Sequence, residues 1–208
     1  MKKFMKASMM NSDLSRRFVL IGTSAMLVMP SMPASALTQA EATRLIDQAV
    51  SEINNVINSG QSAARMYRSF EGIFTKYADV PTIARSALGP PARSASSAQM
   101  RNFTNAFAGY MARKYGKRFR DFAGGSVEVT GARQVKSFQE VRAVAKLPGQ
   151  APFAVSFMVS DRSGRDKFFD LLIEGISLLK SERAEIGAML DKRRGNIDAL
   201  IGDLQKAG

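Results

Sequence analysis

The sequence predicts an α+β fold: one curved antiparallel sheet of four to five strands, with helices before and after it around an apolar interior. Three observations point to this. Apolar residues recur at helical spacing up to about residue 119. At Gly124-Gly125 the period changes to the alternation of strands, which runs on to Glu174. Helical spacing then returns from Ser181 to the end of the chain. The order of helices, strands and helices fits helices packed on a face of an antiparallel sheet.

Residues 1–36 read as an export leader. Lys2, Lys3, Lys6, Arg16 and Arg17 come first, 18–29 is apolar, and Ala34-Ser35-Ala36 forms an A-x-A cleavage site. The apolar run is about a dozen residues, and a spanning helix needs roughly 20. Cleavage is expected after Ala36, leaving 37–208 as one mature domain. Arg16-Arg17 after Ser15 resembles a twin-arginine signal. A general secretory signal with two chance arginines is the other reading. Both routes lead to a periplasm.

Thr38-x-x-Glu41 is a capping box. It opens a helix with Ala42, Leu45, Ile46, Ala49, Val50, Ile53, Val56 and Ile57 on one face, and Ser59-Gly60 ends it. A second helix is expected over 62–77. A third starts at Val80-Pro81, where proline suits the first turn, and stops at Gly89-Pro90-Pro91. Ser96 or Ser97 caps a fourth, with Phe103, Phe107 and Tyr110 on one side. Strands are expected over 126–134, 139–146, 152–161 and 167–174. In the third, Phe153, Val155, Phe157 and Val159 oppose Ala154, Ser156 and Met158. In the fourth, Phe169, Leu171 and Ile173 oppose Phe168, Asp170, Leu172 and Glu174. Helices over 181–193 and 196–206 flank Gly195.

The composition narrows the chemistry. There is no Cys, no His and no Trp, so thiol chemistry, disulfides and imidazole catalysis are excluded. No metal or cofactor is expected. Asp170 and Glu174, four apart in a strand, would stand roughly 13 Å from each other, wide for a glycosidase pair. Net charge is +12; five Lys/Arg and one Asp in 1–36 leave +8 for 37–208. A basic surface often means nucleic acid, but export argues against that. Anionic headgroups, a transient membrane contact or an acidic partner fit a periplasm better, and charge that serves solubility alone is the other reading. Phe (13) and Met (12) are abundant, and both suit a filled core or a deformable pocket equally well.

Two stretches carry a resemblance. The first is Asp79-Val80-Pro81-Thr82-Ile83-Ala84-Arg85-Ser86-Ala87-Leu88-Gly89, continuing through Arg93, Gln99, Phe103, Phe107, Tyr110 and Tyr115. The second is Gly164-x5-Asp170-Leu-Leu-Ile-Glu174-Gly175-Ile-Ser177-Leu-Leu, then Arg183, Gly195, Asp198, Leu200 and Leu204. In order and spacing these resemble the MlaC, or toluene-tolerance auxiliary-component, family across nearly all of 37–208. The chain departs from the family where Ala92 and Asp166 fall at positions that often carry Trp.

The resemblance implies a non-enzymatic periplasmic phospholipid carrier, acting as a monomer. Its partners would be an outer-membrane lipoprotein complex and an inner-membrane ABC transporter, and its task outer-membrane lipid asymmetry. A sister branch linked to hopanoid synthesis makes a polycyclic lipid the alternative ligand; a non-lipid periplasmic adaptor is the other. The expected lipid-lining residues are Phe153, Val155, Phe157 and Val159 with Phe169, Leu171 and Ile173. Phe103, Phe107 and Tyr110 are expected opposite them, and Ile83, Leu88 and Ile176 at the edges. Asp170, Glu174 and Arg183 are expected to fix the last strand to the following helix by hydrogen bonds or an ion pair, with Ser177 in the same structural motif. Gly175 is expected at a turn where a side chain would clash.

Overall fold

The computed structural model describes residues 37–119 and 123–207. The expected leader, with Arg16 and Arg17, lies outside the described residues.

Helix α1 (Gln39–Ile57) starts from the Thr38–Glu41 capping box, with both reciprocal bonds made. Helix α2 (Ala63–Tyr77) follows. Helix α3 (Val80–Leu88) is capped by the Asp79 carboxylate, which accepts from the Thr82 N–H at 3.2 Å. A 3-10 turn (Pro90–Arg93) leads to helix α4 (Ser97–Phe119).

The sheet is a five-stranded antiparallel meander in sequence order. Its strands are β1 (Ser126–Val135), β2 (Phe138–Lys146), β3 (Phe153–Ser160), β4 (Lys167–Ile173) and the two-residue β5 (Ile176–Ser177). Helices α5 (Leu178–Lys192) and α6 (Ile197–Lys206) end the fold. Helix α5 starts three residues before the expected Ser181. The reason is local: the Ser177 hydroxyl accepts from the Lys180 N–H at 3.1 Å and caps the helix there.

A bulge in β4 changes the expected facing. Met158 pairs with Asp170, but Val159 pairs with Phe168, so Phe169 is left over between them. One extra residue reverses the side-chain parity. Phe168, not Phe169, therefore shares the inner face with Leu171 and Ile173. Its ring stands 5.7 Å from Phe157 and 6.3 Å from Phe74. Phe169 packs instead on Phe138, edge to face at 5.3 Å.

Apolar side chains gather in three clusters. One fills the space between α3, α4, α5 and α6. One joins the start of α1 to the inner face of β2 and β3. One joins α1 to α2. Phe168 touches all three.

Candidate functional site

Between the sheet and helices α1, α2 and α4 the side chains leave a cavity of about 230 Å³. The sheet forms its floor through Phe153, Val155, Phe157, Phe168, Leu171 and Ile173. Helix α1 adds Ala49, Ile53 and Ile57; α2 adds Phe70, Ile73 and Phe74. The C-terminal half of α4 closes the side with Met111, Ala112, Tyr115 and Gly116. The wall is almost wholly apolar.

Local chemistry sets each wall. Helix α2 can lie close to α4 because Gly116 has no side chain: a Cβ there would come within 2.6 Å of the Tyr67 ring. Helix α1 is tied to the outer edge of the sheet by side-chain amides. Asn54 Nδ2 donates to the Val127 carbonyl at 3.2 Å, and Asn54 Oδ1 accepts from the Val127 N–H at 3.1 Å. One turn on, Asn58 Oδ1 accepts from the Gly124 N–H at 3.1 Å. These bonds cover part of the β1 edge, which would otherwise offer free backbone groups.

A polar knot stands behind the α4 wall. Glu182 of α5 is 1% exposed and accepts from Lys114 Nζ at 2.7 Å and from the Tyr115 hydroxyl. Glu185 accepts from Lys114 and, at 2.7 Å, from the Tyr110 hydroxyl. Burial and the bond to Glu182 raise the Tyr115 phenol well above its usual range. Burial draws the Lys114 ammonium down, but its bonds to Glu182, Glu185 and Tyr110 outweigh this and hold it raised. The hydroxyl nearest the cavity is thus a fixed neutral donor at neutral pH. Among the described residues no group of His, Cys, Asp or Glu could hold a metal ion.

The structure places the expected lining residues in several different environments. Phe153, Val155, Phe157, Leu171 and Ile173 stand at the cavity wall. Ile83, Leu88, Phe103, Phe107 and Tyr110 lie in the filled helical cluster and reach no part of the wall. Val159 is buried beyond the cavity, against the start of α1. Phe169 is on the other face because of the bulge, and Ile176 is 68% exposed on β5. The α2 wall was missed, although Phe70, Ile73, Phe74 and Tyr77 show a helical apolar spacing. Phe168 was missed because a bulge leaves no mark in a Phe-Phe pair.

The Asp170–Ser177 block joins strand to helix. Asp170 accepts from the Ser177 hydroxyl at 2.6 Å and from the Leu179 N–H at 3.0 Å. The Glu174 carboxylate accepts from the Ala154 N–H on β3. Arg183 forms no ion pair with either acid; its guanidinium lies over Gly89, 3.4 Å from where a Cβ would be. Gly175 differs from expectation in its reason. A Cβ there would meet nothing within 4 Å, but φ is +79° and the preceding Glu174 has φ 50°. Two successive left-handed residues make the tight turn between β4 and β5.

A second, larger opening of about 510 Å³ lies between α2, α4 and α6, lined by Glu71, Asn102, Asn105 and Arg113 among others. It is an open groove of mixed polar and apolar lining. Arg113 is already engaged there, donating to the carbonyls of Leu204 at 2.5 Å and Ala207 at 2.9 Å.

A sheet and three helices around an apolar void, with the nearest polar groups bonded to one another, define a binding architecture more than a catalytic one. Comparison with known proteins gives the family. The MlaC protein family matches over residues 43–206, and the chain belongs to it. No curated protein matches the sequence. Among solved structures, the chain is similar to the phospholipid-binding protein from Ralstonia solanacearum in complex with a phospholipid. The TM-score is 0.68 at 19% identity, covering 79% of this chain and 95% of that one.

Proposed function

We propose that this protein is a periplasmic phospholipid carrier. It moves lipid between an outer-membrane lipoprotein complex and an inner-membrane ABC transporter and so maintains outer-membrane lipid asymmetry. The cavity between the sheet and α1, α2 and α4 carries this reading. Family membership supports it, and so does the fold shared with a protein that holds a phospholipid.

The physics of the task fits such a site. Two acyl chains hold about 30 methylenes, and each costs roughly 0.8 kcal/mol to expose. Bare transit through water would cost on the order of 25 kcal/mol, an upper bound. An apolar wall removes that cost; a polar groove does not. Small-ligand pockets run upward from about 300 Å³, so a two-tailed lipid requires the walls of this cavity to part. The residues proposed to touch the tails are Phe153, Val155, Phe157, Leu171 and Ile173, joined by Phe70, Phe74 and Phe168. Residues 1–36 serve as the cleaved export leader of this carrier.

Native mass spectrometry of the exported protein, with lipid extraction of the same sample, tests the reading. One phospholipid per chain is expected, and its mass gives headgroup and tails. A hopanoid would move the protein to the sister branch. A chain that is empty and takes no lipid from vesicles would overturn the carrier reading.

A further inference from the structure

The first residue after the expected cleavage site is held unusually well for a chain end. Leu37 is buried, packed in the cluster that contains Ala42, Ile46 and Val159. Its N–H donates to Asp161 Oδ2 at 3.1 Å. Its carbonyl accepts from Gln139 Nε2 at 2.9 Å. Gln139 is itself 5% exposed, and its Oε1 has no partner among the described residues. A buried acceptor without a donor is costly, and this one is on the very side chain that holds Leu37.

The surroundings are acidic. Glu41 accepts from the Thr38 N–H at 2.9 Å and from its hydroxyl at 2.7 Å. Burial, then the charges of Glu41 and Asp161, push the Asp166 carboxyl above its ordinary value. Arg44 is the cation that acts on Glu41. Asp161 thus holds the Leu37 N–H, and Glu41, bonded at the next residue, and Asp166 add two more carboxylates to the neighbourhood. Left as an amide, Leu37 offers them one donor and no charge.

We propose that Leu37 is the mature N-terminus and that its α-ammonium is a structural element of the fold, held by the Asp161 carboxylate. This rests on the reading of residues 1–36 as a cleaved leader. An export-coupled peptidase hydrolyses the Ala36–Leu37 bond. The water oxygen goes to the Ala36 carbonyl carbon, leaving a carboxylate on the leader. Both water protons end on the Leu37 nitrogen, which becomes an ammonium with three donors and a full charge. One donor keeps the bond to Asp161, and the others are free for Gln139 Oε1 and solvent. A cation at the start of α1 opposes the helix dipole; the facing acids compensate for it. Removing the leader thereby completes the attachment of α1 to β2 and to the loop after β3.

The test uses the full-length gene, exported with its leader. The intact mass of the product is expected to start at Leu37; any other start overturns the proposal while leaving the carrier reading untouched. A glycine inserted between Ala36 and Leu37 moves the ammonium one residue away. It is expected to lower the folding constant by about fivefold. Asp161→Asn is expected to cause a similar loss in the Leu37-start product and much less in the glycine form. Equal stability of the two products, or an equal loss from Asp161→Asn in both, would overturn the ion pair. If Asp161→Asn does not fold, the α-amino pKa of the wild-type product decides. It is expected about 1 unit or more above the usual 7.7–8.0; an ordinary value would sink the proposal.

Discussion

Helix α4 serves two unlike regions. Its N-terminal half puts Phe103 and Phe107 into a cluster with Ile186, Leu200 and Leu204, all fully buried and in contact. Its C-terminal half puts Ala112, Tyr115 and Gly116 against a void. Both halves face apolar neighbours, so hydrophobicity does not separate them. Side-chain size and backing do. The first half meets the large side chains of α3, α5 and α6, which fill the space. The second half presents Ala112 and Gly116 beside Met111 and Tyr115 to α2 and the sheet, and these side chains leave the space between unfilled. A core and a pocket are thus the same solvent-exclusion problem, solved completely in one place and incompletely in the other.

The largest expected effect comes from breaking the filled side. Phe103→Ala should cost about 3–5 kcal/mol, because the ring is buried on all sides and leaves a cavity. Phe74→Ala, at the cavity wall, should cost less than half of that, since the ring already lacks partners on one face. Lipid occupancy should respond in the opposite order, falling for Phe74→Ala and holding for Phe103→Ala in whatever fraction folds. Denaturant melts and native mass spectrometry of both variants check this; equal stability losses would erase the distinction between the regions.

Next in size is the polar knot on the α4–α5 boundary. Lys114→Ala removes the only cation that pairs with the buried Glu182 among the described residues and should cost about 2–3 kcal/mol, discounted because Lys114 is partly exposed. The pH dependence has a definite sign. The bond to Lys114 holds the Glu185 carboxyl below its ordinary value. Its contribution is therefore present above about pH 4.3 and is lost as the pH falls through the lower folded value. Lys114 is raised, so its share is full below about pH 10.4 and fails only on strong alkalisation. Melts of wild type and Lys114→Ala from pH 7 to pH 3 should converge on the acid side; parallel curves would contradict the pairing.

Much of this was legible in the sequence, and the gaps have physical causes. The Thr38–Glu41 box, Pro81 in the first turn of α3 and the alternation in β3 are local signals, and each marked its element; the Asp79 cap came only with the structure. Asp170, Glu174 and Arg183 were expected to join the last strand to the following helix; Asp170 bonds Ser177 and Leu179, whereas Glu174 bonds β3 and Arg183 lies at Gly89. The site was harder. Phe103, Phe107 and Phe157 look alike in sequence, but whether a ring meets a partner depends on distant elements. The Phe168-Phe169 pair was misassigned because a single bulged residue, set by pairing with Met158 and Val159, reverses the alternation.

A smaller effect is expected at the turn that closes the sheet. Asp170→Asn keeps the shape but weakens the acceptor for Ser177 and Leu179, costing about 1–2 kcal/mol. Glu174→Ala, which loses the bond to Ala154, should lower the melting temperature more than it lowers lipid affinity. The reverse result would move Glu174 from a structural role to the binding site.

The smallest effect on stability, and the sharpest test of where the open region meets solvent, is at Ile176. Ile173 and Ile176 are the two exposed large apolar residues among those described, at 37% and 68%, and they pair across the β4–β5 turn. Ile173 also lines the cavity, so an apolar track runs from the void to the surface. An acyl chain leaving the cavity would cross this turn. The chain has no Trp, so Ile176→Trp adds a single fluorophore at a site where burial is not at stake. Its melting temperature should match wild type. Lipids brominated on their acyl chains should quench its emission during transfer from vesicles, and Ile176→Asp should slow that transfer without changing the final load. A tryptophan unquenched throughout loading would place the opening elsewhere, at the amide-tied edge between α1 and β1.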